Sequence, residues 1–218
     1  MKRVAVILSG CGVFDGAEIQ ESVLVLLALD RANAQVVCAA PDISQREVIN
    51  HLTKQPAKAE TRNVLVESAR IVRGAIVPLD RLQLSEIDAI ILPGGFGAAK
   101  NLCDFALKGP LFTILPQVAT VLREAHRLGK PLGFACIAPA IAARLFGQEK
   151  VEFTVGTDLA TAGALQQSGG THVNCNVRNI VVDRRLKIVT TPAYMLAERI
   201  TEAEAGINKL VQAVLELA

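Results

Sequence analysis

The stretch Lys130-Pro131-Leu132-Gly133-Phe134-Ala135-Cys136-Ile137-Ala138-Pro139 joins a short apolar run to a segment of helix-forming residues. Residues 130–135 predict a buried strand, and Ile137 to Phe146 predict a helix whose first turn accommodates Pro139. Cys136 lies at the junction. A sharp strand-to-helix turn raises its side chain above the sheet edge and directs helix N-terminal N–H groups at it. This placement favours a nucleophilic thiolate, and the alternative is a cysteine buried as a small apolar residue.

The rest of the chain alternates apolar strands with helices. Strands are predicted at residues 3–9, 35–39, 87–92, 153–155, 180–182 and 187–190, and helices at 16–32, 61–72, 116–128, 160–168 and 195–217. Asp15 is the predicted N-cap of the first helix, and a hairpin-like excursion is predicted near residues 75–77. Continuous apolar strands separated by helices are typical of a parallel sheet with helices on both faces. We therefore predict an α/β sandwich that forms one domain over residues 1–218.

Composition and charge exclude several classes of protein. The chain has 218 residues, 51% of them hydrophobic and 20% charged, and its net charge of +2 includes no basic run that would bind nucleic acid. The apolar run Val4 to Leu8 is too short to cross a membrane or to serve as a signal segment. Five cysteines without C-x-x-C spacing predict neither a disulfide framework nor a zinc site. We expect a cytoplasmic protein.

Three segments with unusual residues follow predicted strands, at the sheet edge where ligands bind in such folds. They are residues 9–16, residues 93–97 and Cys136. The glycines at positions 10, 12 and 16 do not fit the G-x-G-x-x-G spacing of a dinucleotide site. Gly94 and Gly95 permit a tight turn whose N–H groups can hold an oxyanion, although a glycine pair also serves as a plain strand-ending turn.

Glu18 is the second candidate side chain near this edge. Its spacing from Asp15 is that of a capping box, in which Glu18 reaches back to the Asp15 N–H. The alternative is a carboxylate that shares or transfers a proton next to the thiol. The histidines, His51, His126 and His172, cannot be placed beside Cys136, so a Cys–His pair is not predicted.

Four segments together resemble the ElbB family: residues 6–18, 92–102, 133–139 and 190–195. The resemblance extends from Val4 to the final helix. This family is part of the class I glutamine amidotransferase-like superfamily, in the branch with PfpI proteases and the parkinsonism-associated deglycase. The resemblance implies a flavodoxin-like sandwich with Cys136 on the nucleophile elbow. It also implies a glutamate after the first strand that pairs with the cysteine, and Glu18 matches that position.

The chain departs from the superfamily pattern where histidine is concerned. It has no late His-x-Glu pair, Ile137 follows the nucleophile where PfpI-type proteases have histidine, and residues 154–157 contain no histidine. Phe134 also replaces a residue that is usually small. These departures disfavour glutaminase, amidotransferase and peptidase chemistry and leave chemistry that a cysteine and a carboxylate can perform alone.

The resemblance implies a glutathione-independent glyoxalase without metal or other cofactor. Cys136 would add to glyoxal, N–H groups of Gly95 and Ile137 would hold the oxyanion, and Glu18 would shuttle a proton on the way to glycolate. Methylglyoxal is a further expected substrate, and the family's link to isoprenoid production is interpreted as indirect. The alternatives are a protein deglycase or a non-catalytic redox or carbonyl-stress sensor that uses Cys11, Cys103 and Cys136. We expect a homodimer.

Overall fold

The computed structural model describes all of residues 1–218. The strands are β1 Arg3–Ile7, β2 Gln35–Ala40, β3 Ile49–Asn50, β4 Gln55–Pro56, β5 Val77–Pro78, β6 Ala89–Leu92, β7 Leu132–Ala135, β8 Glu152–Phe153, β9 Thr171–His172, β10 Val181–Asp183 and β11 Ile188–Thr191. The helices are α1 Ile19–Arg31, α2 Val64–Ile71, α3 Phe96–Lys100, α4 Phe105–Lys108, α5 Pro116–Arg127, α6 Pro139–Phe146, α7 Leu159–Gln166 and α8 Ile200–Leu217.

Seven strands form one sheet in the order β10-β11-β7-β6-β1-β2-β5. Neighbouring strands are parallel except for the antiparallel pair β10 and β11 at one edge. Two short pairs, β3 with β4 and β8 with β9, lie outside this sheet. The predicted α/β sandwich with a mostly parallel sheet is therefore confirmed.

Helices cover both faces of the sheet, as the continuous apolar strands require. Along β1, Val4 and Val6 point towards the layer formed by α1, α2 and α8, while Ala5 and Ile7 point towards the layer that contains α3, α5, α6 and α7. All four of these side chains are fully buried. No helix combines the length and the apolarity that are needed to cross a bilayer.

Four local expectations are corrected by the structure. Helix α1 begins at Ile19 rather than Gly16, and its N-cap is Glu18 rather than Asp15, because the Asp15 carboxylate instead accepts the N–H of Ile49 at 2.7 Å. The segment near residues 75–77 supplies the parallel edge strand β5 rather than a hairpin. The segment 153–155 contributes only to the small pair of β8 and β9. Helix α8 starts at Ile200 rather than residue 195, since residues 193–195 form a single 3-10 turn.

Candidate active site

Cys136 occupies the turn between β7 and α6 with a φ of 60°. This left-handed conformation is unfavourable for a residue with a Cβ, and it persists where the surroundings fix it. Here the Cys136 N–H donates to the Thr191 carbonyl at 2.9 Å. The backbone N–H groups of Gly95 and Ile137 are directed at the sulfur. The turn therefore presents the thiol to two N–H donors at the carboxyl edge of the sheet.

The carboxyl group beside the thiol belongs to Glu21, in the first turn of α1. Its side chain is within hydrogen-bonding reach of the Cys136 thiol. Oε2 accepts the Gly94 N–H at 2.9 Å, and Oε1 accepts the Tyr194 N–H at 3.0 Å. Glu21 is completely buried, and this burial, with a smaller contribution from the charge of Glu18, raises its pKa to about 7.

Glu18 takes a different position from the one expected. Its Oε2 accepts the Glu21 N–H at 2.6 Å, which makes it the N-cap of α1. Its side chain also lines the cavity in front of Cys136, and burial raises its pKa. The expected pairing of the thiol with Glu18 is therefore wrong, because Glu21 is the residue that faces the sulfur. The expected back-bond from Glu18 to the Asp15 N–H is also replaced by this cap.

A signal for Glu21 is present in the sequence. Glu21, Leu24, Val25 and Ala28 follow the spacing of one helix face, and all four are buried in α1. A carboxylate on an otherwise apolar helix face is costly to bury unless it is paired or hydrogen-bonded. Once α1 is known to begin at Ile19, that face points at the sheet edge and places Glu21 against the elbow.

The pKa of the Cys136 thiol lies well above its ordinary value. Burial is the main cause, and the negative charge of Glu21 adds to it, while the N–H groups of Gly95 and Ile137 act in the opposite direction. The expectation that the turn favours a thiolate is therefore contradicted, because the effect of burial outweighs that of the two N–H donors. Because Glu21 and Cys136 are both buried and lie together, the negative charge of an ionised Glu21 repels a thiolate. A proton on Glu21 removes this repulsion.

The turn Gly94-Gly95 fits closely against the elbow and the start of α1. A Cβ on Gly94 would lie 2.4 Å from the Cβ of Cys136 and 2.8 Å from Glu21 Oε2. Gly95 has a φ of +90°, and a Cβ there would lie 2.4 Å from the Glu18 backbone nitrogen. Only glycine allows the backbone to approach this closely. The predicted glycine turn thus determines where the Gly95 N–H points.

A cavity of about 270 Å³ lies in front of the thiol. Nine of its twelve lining residues are hydrophobic; the full set is Val13, Glu18, Gly95, Phe96, Ala99, Phe105, Ala106, Cys136, Ile137, Thr161, Tyr194 and Met195.

 No lysine, arginine or histidine lines this cavity. The only charged group that faces it is therefore the carboxylate of Glu18.

The remaining sequence candidates lie away from this cavity. His51 accepts the Phe14 N–H, His126 packs on Phe146, and His172 accepts the Val155 N–H. Cys103 is buried, with its pKa raised to about 12 by burial, and Cys11 is charge-coupled to Glu67 and Arg70 on α2 rather than to the elbow. Neither of these cysteines lines the cavity. No group of three or more His, Cys, Asp or Glu side chains is arranged to hold a metal ion.

Comparison with known proteins identifies close relatives along the whole chain. The chain is 45% identical over 224 residues to human "Glutamine amidotransferase-like class 1 domain-containing protein 3, mitochondrial", covering 99% of this chain and 83% of that protein. It is 44% identical to "ES1 protein homolog, mitochondrial" from Rattus norvegicus, covering 99% of this chain and 84% of that protein. No family model matches.

A solved structure from Ehrlichia chaffeensis has the same fold. It is an isoprenoid biosynthesis protein with an amidotransferase-like domain, and it superimposes with a TM-score of 0.93 at 37% identity, covering 100% of this chain and 99% of that one. The expectation of a cytoplasmic protein is contradicted by the two mammalian relatives, which are both named as mitochondrial. From these identities over nearly the full length, the chain belongs to the family of glutamine amidotransferase-like class 1 domain and ES1 proteins.

Proposed function

We propose that this chain is a glutathione-independent glyoxalase of the ElbB type, which converts glyoxal to glycolate and also accepts methylglyoxal. The observation that carries the proposal is the placement of the Cys136 thiol at the cavity, with the Gly95 and Ile137 N–H groups and the Glu21 carboxyl directed at it. This set provides a nucleophile, two oxyanion donors and a proton acceptor without a histidine.

The first step is addition of the sulfur to one aldehyde carbon. The thiol proton passes to Glu21, whose pKa of about 7 suits a group that gains and loses a proton near neutral pH. The S–C bond forms as the C=O π bond becomes an oxyanion, which takes up a proton to complete the hemithioacetal. The N–H groups of Gly95 and Ile137 lie next to the sulfur and hence next to this oxygen.

The second step moves a proton between the two carbons. Glu21 is enclosed, and both of its oxygens accept backbone N–H groups. Because it faces the sulfur, its role is to exchange a proton with the sulfur. Glu18 faces the cavity, and its raised pKa makes it a better base. Glu18 takes the proton from the sulfur-bearing carbon, an enediol forms, and the proton returns to the neighbouring carbon. Water then cleaves the thioester to glycolate and restores the thiol.

Replacement of single cysteines tests the proposal. Cys136→Ala removes the only thiol that lines the cavity, so glycolate formation from glyoxal is expected to stop. The matched control is Cys38→Ala, because Cys38 is also buried but lies in β2 outside the cavity. The control is expected to keep the wild-type rate. Turnover by Cys136→Ala at the rate of the control would overturn the proposal.

The sensor alternative has less support, because neither Cys11 nor Cys103 lies in the cavity to form a disulfide with Cys136. The same assay separates the two functions. A sensor consumes glyoxal only up to an amount proportional to the protein present, whereas an enzyme releases many glycolate molecules per chain.

A further inference from the structure

The cavity in front of Cys136 is larger than glyoxal requires. Its volume of about 270 Å³ equals that of about nine waters at roughly 30 Å³ each, whereas glyoxal has only four non-hydrogen atoms. A glyoxal molecule attached to the sulfur would therefore leave most of the cavity to water. Enzymes lose affinity when apolar walls face water rather than the substrate.

The polar groups of the lining are largely occupied by bonds to other protein groups. Thr161 Oγ1 donates to Asp158 Oδ2 at 2.6 Å, and the Tyr194 hydroxyl donates to Gln20. Asp158 and Gln20 do not line the cavity. Glu18 already accepts the Glu21 N–H. A substrate with a polyhydroxylated tail would thus find few partners for its hydroxyl groups, and unpaired buried polar groups are costly.

The charge of the cavity also restricts the substrate. No cationic side chain lines it, and Glu18 contributes a carboxylate. A carboxylate or phosphate on the substrate would lie near this like charge without a partner, which is unfavourable in a partly dry site. The cavity therefore favours a tail that is uncharged as well as apolar.

We infer that the substrate is a 2-oxoaldehyde whose ketone carbon carries an uncharged apolar group of several carbons, which packs against Phe96, Phe105 and Met195. This inference rests on the proposed glyoxalase function and specifies its substrate class. The sulfur adds to the aldehyde carbon, one proton moves from that carbon to the ketone carbon, and water cleaves the thioester. The aldehyde carbon is oxidised and the ketone carbon is reduced, so the product is a 2-hydroxy acid and no external oxidant or reductant is needed.

Three substrates with the same reacting groups test the inference. Methylglyoxal has a one-carbon tail, 2-oxohexanal has a four-carbon apolar tail, and 3-deoxyglucosone has a tail of the same four carbons bearing hydroxyl groups. One methylene in an apolar pocket changes kcat/KM by about 10- to 200-fold when it is well packed. We expect kcat/KM for 2-oxohexanal to exceed the values for both other substrates by at least about 10-fold.

Two single substitutions on α4 test whether this substrate preference depends on the cavity. Ala106 lines the cavity, whereas its neighbour Leu107 is half-exposed and does not. Ala106→Phe places a ring in the space for the tail and is expected to lower the ratio of kcat/KM for 2-oxohexanal to that for methylglyoxal by 10-fold or more. Leu107→Phe adds an aromatic ring to the same helix outside the cavity and is expected to leave the ratio unchanged.

The outcomes distinguish the inference from the function on which it rests. Turnover of methylglyoxal with an equal or lower kcat/KM for 2-oxohexanal would overturn the inference and leave the glyoxalase proposal in place. A ratio that is unchanged by Ala106→Phe would also overturn it. The absence of turnover with glyoxal and with all three substrates would overturn the glyoxalase proposal itself.

Discussion

At the scale of single residues, the site depends on two carboxyl groups that lie one helical turn apart and have different surroundings. Glu21 is enclosed between the Gly94 and Tyr194 N–H groups and the Cys136 thiol, whereas Glu18 faces the cavity. Burial raises the pKa of both. Carboxyl groups that differ in this way can perform different proton transfers within one reaction.

Glu18→Gln tests the role of the cavity-facing carboxylate. The amide oxygen can still cap α1, but the side chain no longer accepts a proton from carbon. We expect covalent addition of glyoxal to Cys136 to persist and turnover to fall about 100-fold or more, the usual effect of a lost general base. Mass spectrometry of the adduct and steady-state rates check this. The control is Glu60→Gln, which changes an exposed carboxylate outside the cavity. A wild-type rate for Glu18→Gln would mean that Glu18 serves only as the N-cap of α1.

Glu21 also makes stability depend on pH. Its pKa rises from 4.5 in the unfolded chain to about 7 in the fold, so the folded state binds this proton more tightly. The resulting stability is fully present below about pH 4.5 and is lost as the pH rises towards 7. Over this window the contribution is on the order of 3 kcal/mol.

Urea unfolding of wild type and Glu21→Gln between pH 4 and pH 8 measures this contribution. The amide does not titrate, so the free energy of unfolding of the variant is expected to fall less steeply with rising pH than that of wild type. The variant also loses a bond at all pH values, because an amide nitrogen cannot accept the Gly94 or Tyr194 N–H, and this costs about 1–3 kcal/mol. Parallel pH profiles for the two proteins would contradict the assignment of the titration to Glu21.

At the scale of secondary-structure elements, the site is formed where three connections meet: the end of β6 with its glycine turn, the start of α1, and the elbow between β7 and α6. Strands β1, β6 and β7 are neighbours in the sheet, so the loops after them lie side by side. The Glu18 N–H donates to the Gly94 carbonyl at 3.0 Å, and the Gly97 N–H donates to the Gly16 carbonyl at 2.8 Å. These backbone bonds hold α1 against the glycine turn.

Gly94→Ala tests how closely these elements must approach. The new Cβ would lie 2.4 Å from the Cβ of Cys136, so the elbow or the turn must shift. We expect glyoxal turnover to be lost and stability to fall by about 1–3 kcal/mol. Gly163→Ala in α7 is the matched control, because nothing lies within 4 Å of the new Cβ, and a helical Gly→Ala change stabilises by about 0.5–1 kcal/mol. Crystal structures and thermal unfolding of both variants check the prediction.

At the scale of the whole molecule, one exposed apolar stripe runs along α1. Ile19, Val23 and Leu27 recur every four residues and are 45%, 47% and 38% exposed. Helical residues at this spacing lie on one face, and such faces commonly form interfaces. The expected homodimer remains a prediction, and this stripe is the surface that we expect it to use.

Val23→Glu tests this interface. A charge in the middle of the stripe would be buried without a partner in a two-fold dimer, so the variant is expected to be a monomer by light scattering at micromolar concentration. Val66→Glu changes a single exposed valine of α2 and is expected to keep the oligomeric state of wild type. A wild-type chain of monomeric mass, or a dimer that survives Val23→Glu, would contradict the prediction.

The sequence by itself determined the sheet and the elbow. The apolar runs of β1, β6 and β7 are continuous because these strands are buried on both faces, and that pattern can be recognised without knowledge of their neighbours. The position of Cys136 also follows from local order, since a strand, one residue and a helix-compatible proline succeed each other. The organisation of residues 1–218 as a single domain remains a prediction from the sequence.

Only the tertiary structure decided which glutamate meets the thiol. Glu18 and Glu21 are three residues apart, and the start of α1 determines which of them points inward. That start depends on two distant contacts: the Asp15 carboxylate bonds to Ile49, and the loop of residues 10–16 packs against the glycine turn. The pKa of the thiol, the length of α8 and the place of β5 at the sheet edge depend in the same way on distant partners. Local periodicity indicates which residues are buried. The contacts that decide which glutamate pairs with the thiol, which charges are buried and where helices end join parts of the chain that are far apart in sequence.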